Sequence, residues 1–255
     1  MEEIIRKKTY CDWEIVYNYT DEELAEAQMF RVKISKTIEL CGEEGGTSYD
    51  NKRSCPICGS GRVQKGLLML SKIPSLGRVA ICKTIGGEVI VSKKFKETVE
   101  KYNLQGMMFQ PILVNGTIAS DVLQLIAKDK VCISTKTRFG VDCFDSLNRP
   151  FSEERKTNIC GHEITMPKEI YVCPNHDLLG LNILSELYVT KESYSTLSAD
   201  FARTSQYIGV KRGLLRPEPL YVCKRGFYEM VKSEKIPGLD FEIARIEDCL
   251  ALKKS

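Results

Sequence analysis

Cys55-Pro56-Ile57-Cys58-Gly59 is the stretch on which the reading of this chain turns, and Cys173-Pro174-Asn175-His176 is its counterpart further along. A Cys-x-x-Cys pair closed by glycine has the form of a zinc knuckle. Two thiolates take one metal, and the small residue lets backbone amides turn toward the sulfurs. A closed structural zinc site takes four protein ligands, so one knuckle supplies half of it. The other half is expected from the second stretch, which places Cys55, Cys58, Cys173 and His176 around one Zn2+. Cys160 and His162 are the rival pair. A Cys and a His one residue apart rarely both reach one tetrahedral ion, so Cys173/His176 is preferred.

The residues before the first knuckle, Asp50-Asn51-Lys52-Arg53-Ser54, are polar. A thioredoxin-like redox pair would instead open a helix after a buried strand. The remaining cysteines sit mostly in apolar surroundings. Cys11, Cys41, Cys82, Cys132, Cys143, Cys223 and Cys249 read as small buried hydrophobes. Eleven cysteines is an odd number for a disulfide framework in a chain of 255 residues. The composition is that of a globular protein, with 43% hydrophobic and 28% charged residues. A net charge of +3 leaves no nucleic-acid footprint by itself. Met1-Glu2-Glu3 shows no signal-peptide start, and no apolar run approaches the roughly 18 residues of a membrane span. A cytoplasmic location without membrane partners is expected.

Outward from the knuckles, Tyr10–Tyr19 reads as a strand. Thr20-Asp21-Glu22-Glu23 is a capping box that opens a short helix, and Val32–Leu40 alternates as a strand. Val79–Cys82 and Val89–Val91 flank Gly86-Gly87 as a hairpin. Ser92 then caps a helix whose Phe95, Val99 and Tyr102 share one face. Gly106 stops that helix, and Met107–Val114 resumes as a strand. Ser120 or Asp121 caps a short helix over Val122–Ile126, and Val131–Ser134 is a further strand. The polar, turn-rich residues 145–158 read as a linker. It divides the chain into an N-terminal α+β module (1–144) and a C-terminal one (159–255).

The C-terminal segment repeats an earlier one. Phe95-x-Glu97-x-Val99 with Leu104, Gly106 and Phe109 aligns without a gap on Phe227-x-Glu229-x-Val231 with Ile236, Gly238 and Phe241. Each copy follows a short apolar strand, ending at Val91 or Val222. The pattern predicts two strand-helix-strand modules, with glycine at the left-handed turn after each helix.

No motif for catalysis emerges. His162-Glu163 followed by Cys173-Pro174 departs from the H-x-E…P-C-x-x-C pattern of zinc deaminases in both halves. No Gly-rich phosphate loop is present, and with two histidines in the chain no nucleophile–base pair is recognisable.

The first knuckle, the Cys173–His176 stretch with Asp200-Phe201-Ala202-Arg203 after it, and the terminal strand-helix-strand together resemble the bacterial double-CXXCG motif proteins. They also resemble the related immunity-protein domains found beside polymorphic toxins. The resemblance spans roughly residues 50–110 and 170–245, in pieces. It departs at the second knuckle, where His176 and Asp177 stand in place of Cys and Gly. The resemblance implies a non-enzymatic protein that binds and neutralises a cognate toxin. The expectation is an α+β fold of two strand-helix-strand modules joined by a zinc-ribbon-like structural site, with no catalytic residues. The competing reading is a zinc-ribbon nucleic-acid binder using Arg53, Arg62 and Lys65 near the knuckle, which salt would weaken.

Overall fold

The computed structural model describes residues 15–140, 155–159, 162–166, 172–173, 175–179, 182–209 and 214–247, the second and third of these as backbone strands alone. The first part of the chain runs α1 (Asp21–Glu26), β1 (Met29–Ile34), β2 (Thr37–Ile38), β3 (Ser48–Asp50), β4 (Val63–Lys65) and β5 (Leu68–Leu70). It continues through β6 (Ile81–Thr84), β7 (Val89–Ser92), α2 (Lys93–Lys101), β8 (Met107–Val114) and β9 (Thr117–Ala127). Then come β10 (Lys130–Val131), β11 (Phe139–Gly140), β12 (Arg155–Ile159), β13 (His162–Met166), β14 (Leu178–Leu179) and β15 (Asn182–Ile183). The last part is β16 (Leu187–Thr190), α3 (Lys191–Ser195), β17 (Phe201–Gly209), β18 (Glu218–Lys224), α4 (Arg225–Ser233) and β19 (Leu239–Glu247). The fold is mixed α+β and strand-rich.

Local chemistry accounts for the helices. Thr20 forms the expected capping box, accepting from the Glu23 amide while the Glu23 carboxylate accepts from the Thr20 amide. Ser92 accepts from the Phe95 amide and starts α2, which buries Phe95 and Val99. α4 buries Phe227, Met230 and Val231, the same face one residue richer. Both helices have nine residues, and a left-handed residue follows each (Asn103, φ 52°; Lys235, φ 50°), then a left-handed glycine (Gly106, φ 95°; Gly238, φ 101°). A side chain at Gly106 would strike the Phe201 carbonyl, and one at Gly238 would strike Val79, so glycine is needed for space as well as for φ.

Two main sheets carry the molecule, in the orders β2-β6-β7-β9-β8-β5 and β10-β17-β18-β1-β19-β16. From edge to edge both pair in one sequence of directions: parallel, antiparallel, antiparallel, antiparallel, parallel. The central strand differs in origin. β9 follows β8 through the turn at Asn115-Gly116, whereas β1, the first strand of the chain, lies between β18 and β19. Along the far edge of the second sheet, Ile133 bridges Val189 and the Ser134 amide donates to the Tyr188 carbonyl (2.8 Å), so that sheet nearly closes on itself.

Side-chain details recur in matching places. Thr47 Oγ1 donates to the Met69 carbonyl and accepts its amide in β5, and Thr137 does the same with Tyr188 in β16. Buried Thr84 and Thr204 accept from the amides of Glu88 and Leu220. The contact between the sheets is also reciprocal: the Asp200 amide donates to the Gln105 carbonyl and the Ala80 amide to the Pro237 carbonyl, each 3.0 Å. The largest apolar cluster fills the space between them. It joins Ile81, Val89, Val91, Phe95 and Val99 from one side to Phe30, Phe201, Phe227, Met230 and Ile243 from the other. Smaller clusters back each sheet, around Leu187 and Val222 in one case and Leu68 and Ile90 in the other.

Four local expectations need correction. Val122–Ile126 is not a helix but lies in β9, paired with β7 and β8. Residues 15–19 of the expected first strand take no regular structure, while residues 10–14 of it lie outside the described residues. Val32–Leu40 is broken into β1 and β2 around exposed Ser35. Of the linker expected at 145–158, residues 145–154 lie outside the described residues, and 155–158 belong to β12, antiparallel to β13.

Candidate metal centre

The first knuckle is the tip of the hairpin β3–β4, in which Ser48 pairs Lys65 and Asp50 pairs Val63. Within the tip, the Gly59 amide donates to the Cys55 carbonyl and the Cys55 amide to the Ser60 carbonyl, both 2.8 Å. Gly59 is left-handed (φ 74°), and its turn aims the Ser60 amide at Cys58 Sγ, 3.5 Å away. This amide-to-sulfur contact is what the glycine after Cys-x-x-Cys is there to permit.

The second loop lies between Val172 and Leu178, which form an antiparallel bridge. The Cys173 amide donates to the Asp177 carbonyl (3.1 Å) and the His176 amide to the Cys173 carbonyl (2.8 Å), with His176 left-handed at φ 62°. The loop presses Cys173 against the first knuckle. Sγ of Cys58 and Sγ of Cys173, 115 positions apart in sequence, are 3.6 Å apart. The sulfurs of Cys55, Cys58 and Cys173 all lie within 4.8 Å of one another. Their residues are 4%, 1% and 3% exposed, with Leu179 packed against them.

A separation of 3.6 Å is far beyond a disulfide bond, and all three are free thiols. It does match an edge of a thiolate tetrahedron, since metal–sulfur bonds of about 2.3 Å set two sulfurs about 3.8 Å apart. Three soft sulfur donors within 4.8 Å of one another, one pair at that edge length, fit a zinc ion. Of the four residues expected at the metal, the fold gathers Cys55, Cys58 and Cys173. His176 is exposed. Of the rival pair, Cys160 lies outside the described residues, and the backbone of His162 pairs with Ile159 at the β12–β13 turn.

The thiols differ in acidity. Burial raises Cys55, but the amides of Cys58 and Ile57 together with the thiols of Cys58 and Cys173 outweigh it and leave that thiol below its ordinary value. Burial holds Cys58 above the ordinary value against the Ser60 hydroxyl and amide, and it pushes Cys173 up to about 12. A cation entering the cluster therefore displaces protons, as thiolate ligation requires.

Two further residues enter the site. Asp177, 2% exposed, places Oδ2 3.4 Å from Cys173 Sγ and 3.5 Å from Cys58 Sγ, and Ser60 Oγ donates a short hydrogen bond to the same oxygen. Asp177 Oδ1 accepts from the Tyr207 amide of β17 at 2.8 Å. The Cys and His spacing that marks a knuckle assigns neither a ligand role. The available signal is an acidic residue directly after the second motif, where the first motif has Gly59.

Elsewhere, Cys41, Cys82 and Cys223 are buried as expected, with Cys82 raised to about 11 by burial. Cys132 is exposed, contrary to expectation. Cys11, Cys143 and Cys249 lie outside the described residues. The basic side chains near the knuckle are partly engaged. Arg62 stacks over the Tyr49 ring at 4.0 Å and pairs with Glu43 (2.8 Å), and Lys65 faces Asp50 at 3.9 Å. No helix among the described residues is long and apolar enough to cross a membrane. No family model and no curated protein matches the chain.

Proposed function

We propose that this chain is a non-enzymatic, zinc-stapled binding protein of the immunity type, which neutralises a cognate toxin by covering its working surface. The observation that carries the reading is the trio of almost fully buried thiols, drawn from two distant loops. A metal held there ties the hairpin of one half to the loop of the other and contributes folding energy rather than chemistry. Unpaired thiols in this number suit a reducing, cytoplasmic setting. A rigid scaffold of this kind presents a preorganised surface, which keeps the ordering cost of binding low. The toxin itself is inferred from the sequence resemblance.

The two sheets are read as copies of one unit, each with its strand-helix-strand core and its own metal loop. Supporting this are the shared order of strand directions, the paired threonine bonds and the reciprocal turn contacts. In the second copy the role of β9 falls to β1, from the other end of the sequence. The metal loops lie at matching points, between β2 and β5 and between β10 and β16.

The test of function is co-expression with the toxin encoded beside its gene. Restored growth and a co-eluting complex are expected. If instead the protein fails to rescue and retards DNA or RNA in a salt-sensitive way, the nucleic-acid reading replaces this one.

A further inference from the structure

We infer that the fourth ligand of the metal is the carboxylate of Asp177, and that His176 is a turn residue. The inference rests on the zinc reading above and specifies the donor set of that same site.

The two loops differ by one residue. In the first, the opening cysteine amide is closed by the carbonyl five positions on (Cys55 to Ser60); in the second, by the carbonyl four positions on (Cys173 to Asp177). Each closing residue is preceded by a left-handed one, Gly59 at φ 74° and His176 at φ 62°. Aligned on these features, His176 falls on Gly59 and Asp177 on Ser60, which leaves Pro174 and Asn175 opposite the three residues Pro56–Cys58 and no second cysteine. A left-handed turn at that place points the His176 side chain out to solvent, where it is found. The sequence Cys-x-x-His keeps the ligand spacing on paper, but the shorter loop spends its fourth residue on the turn.

Asp177 fills the gap chemically. A tetrahedral zinc with oxygen at about 2.0–2.2 Å and sulfur at about 2.3 Å sets that oxygen about 3.5–3.7 Å from each sulfur. Oδ2 meets that spacing to two of the three sulfurs, 3.5 Å from Cys58 Sγ and 3.4 Å from Cys173 Sγ, while the ligand atoms that all lie within 4.8 Å of one another are the three sulfurs alone. The carboxylate is 2% exposed, and among the described residues no lysine or arginine pairs with it. A buried carboxylate without a counter-charge is costly, and a divalent cation beside it removes that cost. Its other oxygen is already oriented by the Tyr207 amide, as ligating carboxylates usually are. Because Tyr207 belongs to β17, ligation by Asp177 anchors the metal to the second sheet as well as to both loops.

The test compares Asp177→Ala, Asp177→Cys and His176→Ala with the parent, each purified and loaded with zinc or cobalt(II). X-ray absorption at the zinc edge is expected to give three sulfurs and one oxygen, with no imidazole scattering. Asp177→Ala is expected to weaken zinc at least tenfold in chelator competition, and His176→Ala to leave it unchanged. Asp177→Cys should keep the metal and convert the cobalt spectrum to that of four thiolates, which separates loss of a ligand from loss of the fold. Imidazole scattering that disappears in His176→Ala, or four sulfurs in the parent, overturns the assignment while leaving the zinc reading intact. A parent protein that takes up no zinc overturns both.

Discussion

Replacing Phe95 and Phe227 by alanine, singly and together, asks whether the two sheets share one core. Phe227 is 0% exposed and Phe95 2%. Their rings meet edge-on at 6.3 Å between centroids, and Phe227 also lies 5.1 Å from Phe201 of β17. Deleting a buried phenylalanine costs about 3–5 kcal/mol from lost transfer energy and the cavity left behind. Phe227 touches aromatic rings from both halves and should fall at the upper end, Phe95 lower. The ring pair itself adds about 0.5–1.5 kcal/mol, which appears as coupling in the double-mutant cycle. Urea unfolding of the metal-loaded protein, followed by far-ultraviolet circular dichroism, measures all three variants. A single transition is expected throughout, with the double variant less destabilised than the sum of the singles. Two transitions, only one of them moved by Phe95→Ala, would show that each half has a core of its own. Additivity within about 0.3 kcal/mol would show that the rings do not work together.

Other outcomes follow from the same geometry. Joining the two ends of the chain by a flexible linker and opening it between Ser35 and Lys36 places β1 after β19, as β9 follows β8; this permutant should keep the native dichroism spectrum and cooperative unfolding, and an unfolded product would refute the equivalence of β1 and β9. Gly106→Ala forces a side chain against the Phe201 carbonyl at an unfavourable φ, so a loss of at least about 2 kcal/mol is expected in the same urea experiment; a neutral result would contradict the placement of that turn. Under native alkylation read by peptide mass spectrometry, Cys132 should react quickly while Cys82 and Cys223, whose thiols burial holds above the ordinary value, stay unmodified. Equal labelling of all three would mean that the sheets open far more easily than this packing allows.

Much of the local structure is written in local chemistry. Thr20 and Ser92 announce their helices because a hydroxyl oxygen facing a free amide is a short-range matter. The recurrence of Phe95, Val99 and Gly106 as Phe227, Val231 and Gly238 is readable for the same reason: each set serves one helix and the turn behind it. A helix is expected over Val122–Ile126, where a strand lies, because Val122, Leu123, Leu125 and Ile126 suit a helical face as well as a strand buried between two neighbours. The Asn115-Gly116 turn, with both residues at positive φ, was the hairpin signal that distinguishes the two. The insertion of β1 between β18 and β19 depends on pairing across almost the whole chain, and no window of sequence carries it. At the candidate metal centre, the three cysteines declare themselves by type and spacing. Asp177 does not, because its role depends on a loop one residue shorter than its partner, a difference visible only in which carbonyl closes which amide.

The central claim is that one metal ion joins the two loops, and metal analysis of the purified protein tests it most directly. The account predicts one zinc per chain, lost in Cys173→Ser, and a melting temperature that falls when a chelator removes the ion. A ligand at about a thousandfold its dissociation constant contributes about 4 kcal/mol to stability, so the fall should be plain. Protein purified and reconstituted without stoichiometric metal, melting at one temperature with or without chelator, would contradict it.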